Sequence, residues 1–132
     1  MSLSDEERRI IVGLELEKAD LAYNETLWML EKGSLSGAAG RLYYAIYHAV
    51  TALLIHDRHQ VSSHKGSHAL FGNYYVRTGL LPKSYAALYS QMESIREESE
   101  YNCTYVISED ELQQNIAPAK EMIDTIAEMV KE

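Results

Sequence analysis

The sequence predicts an all-α fold, an antiparallel up-and-down bundle of four to five helices, on three observations. Apolar residues recur every three or four positions over long segments, the period of one helix face. Capping sequences open two of those segments. Seven glycines and two prolines in 132 residues are too few for the many turns of a β-sandwich or barrel. No segment alternates as a strand does, and no repeat, low-complexity stretch or linker interrupts the chain, so residues 1–132 are expected to form one domain.

Each element has its own signal. Ser4-Asp5-Glu6-Glu7 is a capping box whose acidic residues suit a helix N-terminus. The helix is expected to run to about Lys32, with Gly33 as its stop and Val12, Leu16, Ala19, Tyr23, Leu27 and Leu30 as its buried stripe. A second helix starts within the small-residue stretch from Ser34 to Gly40 and continues to about Ile55. His56 to Ser63 reads as a loop, and a shorter third helix as His64 to Thr78, ended by Gly79. Pro82 suits the first turn of a fourth, with Tyr85, Leu88, Met92 and Ile95 facing inward. Tyr101 to Ile107 breaks the pattern. Ser108-Glu109-Asp110-Glu111, a second capping box, opens the last helix, with Leu112, Ile116, Ala119, Ile123, Ile126 and Val130 on one side. Pro118 lies inside it and is expected to kink or split it.

Composition excludes several classes of function. The chain is 46% hydrophobic and 24% charged, as globular domains are. No run of about 18 apolar residues exists, so no membrane span is expected. The charged segment from Met1 to Arg9 lacks the apolar core of a signal peptide, which points to the cytoplasm. A single cysteine, Cys103, rules out an intrachain disulfide and a thiolate-rich zinc site. The net charge of −8 disfavours general DNA or RNA binding, because phosphate backbones are bound by neutralising them. A nucleotide or RNA contact is therefore expected only at a focused cluster of cations.

Such a cluster stands out in the second helix. Arg41-Leu42-Tyr43-Tyr44-Ala45-Ile46-Tyr47-His48-Ala49 places polar aromatics and charges within an apolar segment. At 100° per residue, Arg41, Tyr44, His48 and Thr51 form one stripe. Leu42, Ile46, Ala49 and Leu53 form a second, and Tyr43, Tyr47, Val50 and Leu54 a third. Two apolar stripes cover most of the circumference, so the polar one is expected to face a crevice or a partner. Arg41 and His48, two turns and roughly 10 Å apart along the axis, are candidates to flank a phosphate. The bland alternative has Tyr44 and His48 bonded to neighbouring helices and Arg41 paired with an acidic residue.

All five histidines lie between His48 and His68. His64 and His68 share a helix face at a spacing used by metal ligands, but no His-Glu-x-x-His sequence supplies the remainder of a site. Neither a metal nor a cofactor is expected. His64-Lys65, at a helix start after Ser62 and Ser63, suits an anion. Arg96 and Glu100 can pair at i, i+4, with Tyr101 one residue beyond. Nucleophile elbows and phosphate- or dinucleotide-binding glycine loops are missing from the sequence.

These clusters, taken in order, resemble a known family. Arg-x-Tyr-Tyr-Ala-x-Tyr-His-Ala at 41–49 is followed by His64-Lys65-Gly66, by Tyr75-Val76-Arg77-Thr78-Gly79-Leu80-Leu81-Pro82-Lys83, and by Arg96-x-x-Ser99-Glu100-Tyr101. Together they resemble the small stand-alone prokaryotic branch of the HEPN superfamily (higher eukaryotes and prokaryotes nucleotide-binding), over nearly the whole chain. The resemblance implies a helical bundle that is commonly a homodimer. It also implies a minimal nucleotidyltransferase as a partner, in a toxin–antitoxin or defence system. Many members are metal-independent ribonucleases that use an Arg and a His with four to six residues between them; others bind nucleotide or RNA, or act as non-catalytic antitoxins or scaffolds. Here Arg96 is followed five residues on by Tyr101 instead of His. Arg41 to His48 and Arg58 to His64 satisfy the spacing elsewhere. On this reading Arg41, Tyr44, His48, His64, Lys65, Arg96 and Tyr101 line a binding crevice. Arg41 or Arg96 would stabilise a phosphorane, and His48 or His64 would move protons.

Overall fold

The computed structural model of the chain describes residues 2–131. Five α-helices follow in order: α1 Asp5–Glu31, α2 Leu35–His56, α3 His64–Phe71, α4 Lys83–Tyr101 and α5 Glu109–Met129. A π-helical turn, Gly72–Val76, extends α3. Among the described residues there is no strand, and none of their helices is long and apolar enough to cross a membrane. The all-α bundle expected from the periodicity is the observed fold.

The caps set the helix starts. Ser4 Oγ accepts from the Glu7 N–H at 3.1 Å while Glu7 Oε1 accepts from the Ser4 N–H at 2.8 Å, closing the expected capping box. At α5 only half of the expected box forms. Ser108 Oγ accepts from the Glu111 N–H at 3.1 Å, but the Glu111 carboxylate instead accepts from the Tyr105 hydroxyl at 3.2 Å. That contact ties the preceding loop to the helix.

α2 is the central element, packed against α1, α3, α4 and α5. Leu42, Tyr43, Ala45, Ile46, Ala49, Val50, Leu53 and Leu54 are buried, as a helix covered on two of its stripes must be. Each buried Leu, Ile or Val stabilises the fold by about 1.5–3 kcal/mol relative to exposure. The inward residues expected of α4 are all buried, joined by Tyr89, and the Tyr85 hydroxyl bonds Thr125 of α5 at 3.0 Å. In α1, Val12 and Ala19 are buried and Leu16, Tyr23 and Leu30 pack at the core margin. Leu27, expected inside, is exposed; Ala22 and Thr26 take the inward positions, with Thr26 Oγ1 donating to the Ala22 carbonyl at 2.8 Å.

Two other expectations are corrected. The third helix does not stay α-helical to Thr78: from Gly72 the hydrogen bonding widens, with the Arg77 N–H donating to the Gly72 carbonyl at 2.9 Å. The widened turn sets Tyr75 inward, where its hydroxyl donates to Asp57 Oδ2 at 2.6 Å, and leaves Tyr74 exposed. Pro118 does not split α5, which is continuous through it. Both Pro118 and Gln114, whose carbonyl loses its usual amide partner, are exposed, so water can satisfy that group.

Candidate functional site

His64 is the first residue of α3, and its position is set by the residue before it. Ser63 caps the helix, its Oγ accepting from the Gly66 N–H at 2.9 Å. The imidazole turns inward onto α2. Nδ1 shares a hydrogen bond with the Tyr43 hydroxyl at 3.0 Å, and the ring stacks on Tyr47 with centroids 4.2 Å apart and 16° between planes. Tyr44 meets the same imidazole edge-on at 5.9 Å. Either partner of that bond can be the donor; where Nδ1–H donates to the Tyr43 oxygen, Nε2 is left as the basic nitrogen. Burial pushes the His64 pKa below the ordinary histidine value, and the Arg96 guanidinium pushes the same way, with Glu93 opposing and His48 adding a little. The group is therefore a neutral imidazole at neutral pH.

Arg96 enters from α4. Its guanidinium donates to the Tyr44 hydroxyl at 3.1 Å, pairs with Glu100 at 3.3 Å, and lies over the rings of Tyr43 (5.3 Å) and Tyr44 (5.4 Å). A cation on an aromatic face is worth about 0.5–2 kcal/mol, more as it is desolvated. Burial weighs against its charge, but Tyr44 and Glu100 outweigh that and hold the guanidinium charged. The result is one crevice with a fixed cation, a neutral imidazole and several aromatic faces. Such a set can hold a phosphate on the guanidinium and a flat ring on the aromatics, and can accept a proton at an imidazole.

The sequence-expected residues divide around this crevice. Tyr44, His64 and Arg96 meet in it. Arg41 lies over the same Tyr44 ring at 5.5 Å, with its Nε paired to Glu25 of α1 at 3.2 Å. His48 Nδ1 bonds Glu15 of α1 at 2.7 Å, its ring 5.3 Å from Tyr47. Arg41 and His48 are thus each engaged by a carboxylate, the blander of the two arrangements their spacing allowed. Thr51, the last of that stripe, is buried. Lys65 is exposed and borders a neighbouring cleft with His68 and Glu93. Tyr101 ends α4 at 77% exposure, near enough to Arg96 to have a minor influence on its guanidinium. Arg58 pairs with Asp5, away from His64.

Three contributors were hidden in the sequence. Tyr43 and Tyr47 read as core by their stripe, yet each presents its ring or hydroxyl to His64. Glu93 carries no motif. It acts on His64 through space and bonds His68 Nδ1 at 3.1 Å, while His68 Nε2 meets Ser90 Oγ at 2.9 Å. The one available signal was the excess of tyrosine, ten against a single Phe and a single Trp. His64 and His68 do share a face, but among the described residues no group of three or more His, Cys, Asp or Glu side chains is placed to hold a metal ion.

Comparison with known proteins agrees with this architecture. The chain is 25% identical to the UPF0332 protein of Thermotoga maritima over 126 residues, 96% of each chain. It is 30% identical over 95 residues to a Methanocaldococcus jannaschii protein whose name marks it as a candidate toxin, covering 72% of this chain and 70% of that one. A UPF0332 protein of Pyrococcus horikoshii is 34% identical over 58 residues, 44% of this chain and 41% of its own. The profile of the HEPN domain matches residues 14–130, which span every element from α1 to α5 and all the crevice residues, and the chain belongs to the HEPN domain family.

Proposed function

We propose that the chain is a nucleotide- or RNA-binding module of a toxin–antitoxin or defence system, with the Tyr43–Tyr44–Tyr47–His64–Arg96 crevice as its binding site. One observation carries the reading: a single half-buried guanidinium, fixed by Tyr44 and Glu100, stands beside stacked rings on a chain of net charge −8. That is the focused cation an acidic protein needs to hold one phosphate. The toxin-like role is carried over from the name of the Methanocaldococcus relative. A homodimer and a minimal nucleotidyltransferase partner complete the reading. The exposed Ile10, Leu14, Leu21 and Trp28 of α1 offer an apolar surface in keeping with a protein partner.

Titration with adenosine monophosphate and with short single-stranded RNA tests the site. The expected result is saturable binding that Arg96→Ala weakens about tenfold or more, the loss of a charged hydrogen-bond donor. Unchanged affinity in a folded Arg96→Ala protein would overturn the assignment.

A second reading is favoured by the depressed pKa of His64 beside Arg96. In it the chain cleaves RNA without a metal: the 2′-oxygen displaces the 5′-oxygen at phosphorus to leave a 2′,3′-cyclic phosphate. His64 takes the 2′-hydroxyl proton and returns it to the departing 5′-oxygen, and Arg96 stabilises the negative charge on the phosphoryl oxygens. Cleavage in EDTA that His64→Ala abolishes would establish it, and an inert wild-type protein would remove it.

A further inference from the structure

A second cavity, of about 460 Å³, opens at the far end of the bundle, where the start of α1, the end of α2 and the end of α5 converge. It lies twelve residues along α2 from Tyr44, about 18 Å at 1.5 Å per residue, and shares no residue with the crevice. Arg8, Arg9 and Arg58 border it against one carboxylate, Asp5. These are three of only twelve lysines and arginines in a chain with twenty acidic residues. The neighbouring carboxylates are turned elsewhere: Glu7 onto the Ser4 amide, Asp57 onto the Tyr75 hydroxyl and His56. Arg9 makes no hydrogen bond or ion pair among the described residues. The floor is apolar, with Val12, Leu16 and Val130.

Two positions on this cavity depart from what the fold alone would choose. α1 and α2 end in the same motif, in which the residue beyond the cap takes a left-handed conformation. Its own amide and the one after it bond back to the last turn: Gly33 to Leu30 and Ser34 to Met29 after α1, Arg58 to Ile55 and His59 to Leu54 after α2. α1 puts glycine at that position, Gly33, with φ 81°. α2 puts Arg58 there, with φ 68°, the one left-handed non-glycine residue among those described. A side chain at that φ is strained, and glycine would not be. The second departure is Gly13. It sits mid-helix in α1, where glycine is a poor helix former, and a Cβ on it would meet nothing within 4 Å. Packing does not require the gap, yet the gap opens onto the cavity. An arginine where glycine fits better and a glycine where alanine fits better, both on one cavity, are the kind of local inconsistency expected at a binding site.

We propose that this cavity is a second binding site, for a small organic phosphate. Its phosphate group lies against the guanidiniums of Arg9 and Arg58, and its less polar body rests on Val12, Leu16 and Val130 in the space left by Gly13.

The test is made on Arg96→Ala protein, so that binding here is read apart from the crevice, with adenosine monophosphate, inorganic phosphate and adenosine as probes. Calorimetric titration is expected to show saturable binding of the nucleotide, tighter than of either fragment. Adding Arg58→Gly or Gly13→Leu should weaken it about tenfold or more. Arg58→Gly should also raise Tm by a few degrees, since it relieves the backbone, and Gly13→Leu should leave Tm level or higher. Affinity unchanged in both variants would overturn the site, as would no binding of the nucleotide or a fragment bound as tightly as the whole. A Tm lowered by Arg58→Gly would overturn the argument that the arginine is retained against the fold's own preference. Binding that Arg96→Ala by itself abolishes belongs to the crevice and overturns this site, whereas binding that survives Arg96→Ala and is lost in the two added variants belongs to this cavity.

Discussion

The tyrosines of the core show how one side-chain type can be used in two ways. Tyr43 and Tyr89 are both fully buried, and burial raises both phenol pKa values well beyond the ordinary range, keeping the hydroxyls protonated. Tyr43 spends its hydroxyl on His64 Nδ1. The Tyr89 hydroxyl is buried without a hydrogen-bond partner, its ring stacked on His68 at 4.5 Å. A buried hydroxyl lacking a partner costs about 1–3 kcal/mol of desolvation, whereas a satisfied one contributes about 1 kcal/mol net. The two Tyr→Phe variants should therefore move in opposite directions. Tyr89→Phe is expected to raise unfolding free energy by about 1 kcal/mol in a urea titration, and Tyr43→Phe to lower it by about the same amount. A destabilised Tyr89→Phe would mean that the hydroxyl is bonded in solution.

At the scale of elements, Pro118 is the clearest departure from helix chemistry. It removes the amide that would bond to the Gln114 carbonyl and leaves α5 continuous only because both positions face water. Pro118→Ala restores that bond and a better helix former at an exposed position. Against this, the variant chain has more freedom to lose on folding, by about 0.4–1 kcal/mol. A proline in a helix interior costs about 3 kcal/mol, so the net expectation is a stabilisation of about 2–2.5 kcal/mol, read as a higher denaturation midpoint with unchanged slope. Helices of this kind were legible in the sequence because α1, α4 and α5 carry apolar stripes at three/four spacing and α1 and α5 open on capping sequences. What was not legible depends on tertiary partners. The change from α to π at Gly72 accompanies a tertiary bond, Tyr75 to Asp57, eighteen residues earlier in the chain. The end of α2 at Arg58 has the geometry of a glycine stop without the glycine, so nothing in the local sequence announced it. The crevice was legible in location and less so in membership. Tyr44, His64 and Arg96 converge, but whether Arg41 and His48 faced a ligand or α1 was decided by Glu25 and Glu15, two carboxylates on a helix surface like any other.

For the whole molecule, the half-buried imidazole of His64 couples the crevice to stability through pH. Burial first, and Arg96 second, disfavour the imidazolium in the folded chain, while Glu93 favours it without prevailing. The unfolded chain takes up this proton near the ordinary histidine pKa of about 6.5, and the folded chain only at lower pH. Between those two values the unfolded state holds more protons, so stability falls as pH falls through about 6.5. Above that range His64 contributes no slope, and below the folded pKa its penalty is complete. The remaining carboxylates and histidines titrate in both wild type and variant, so the informative quantity is a difference. His64→Gln keeps an acceptor for the Tyr43 hydroxyl and cannot ionise. On moving from pH 7.5 to 5.5, wild type should lose more unfolding free energy than His64→Gln, by an amount that appears only below about pH 6.5. Parallel pH profiles for the two proteins would show that His64 is not held neutral, and with that the proton-accepting half of the crevice chemistry would fail while the Arg96 phosphate contact still stood.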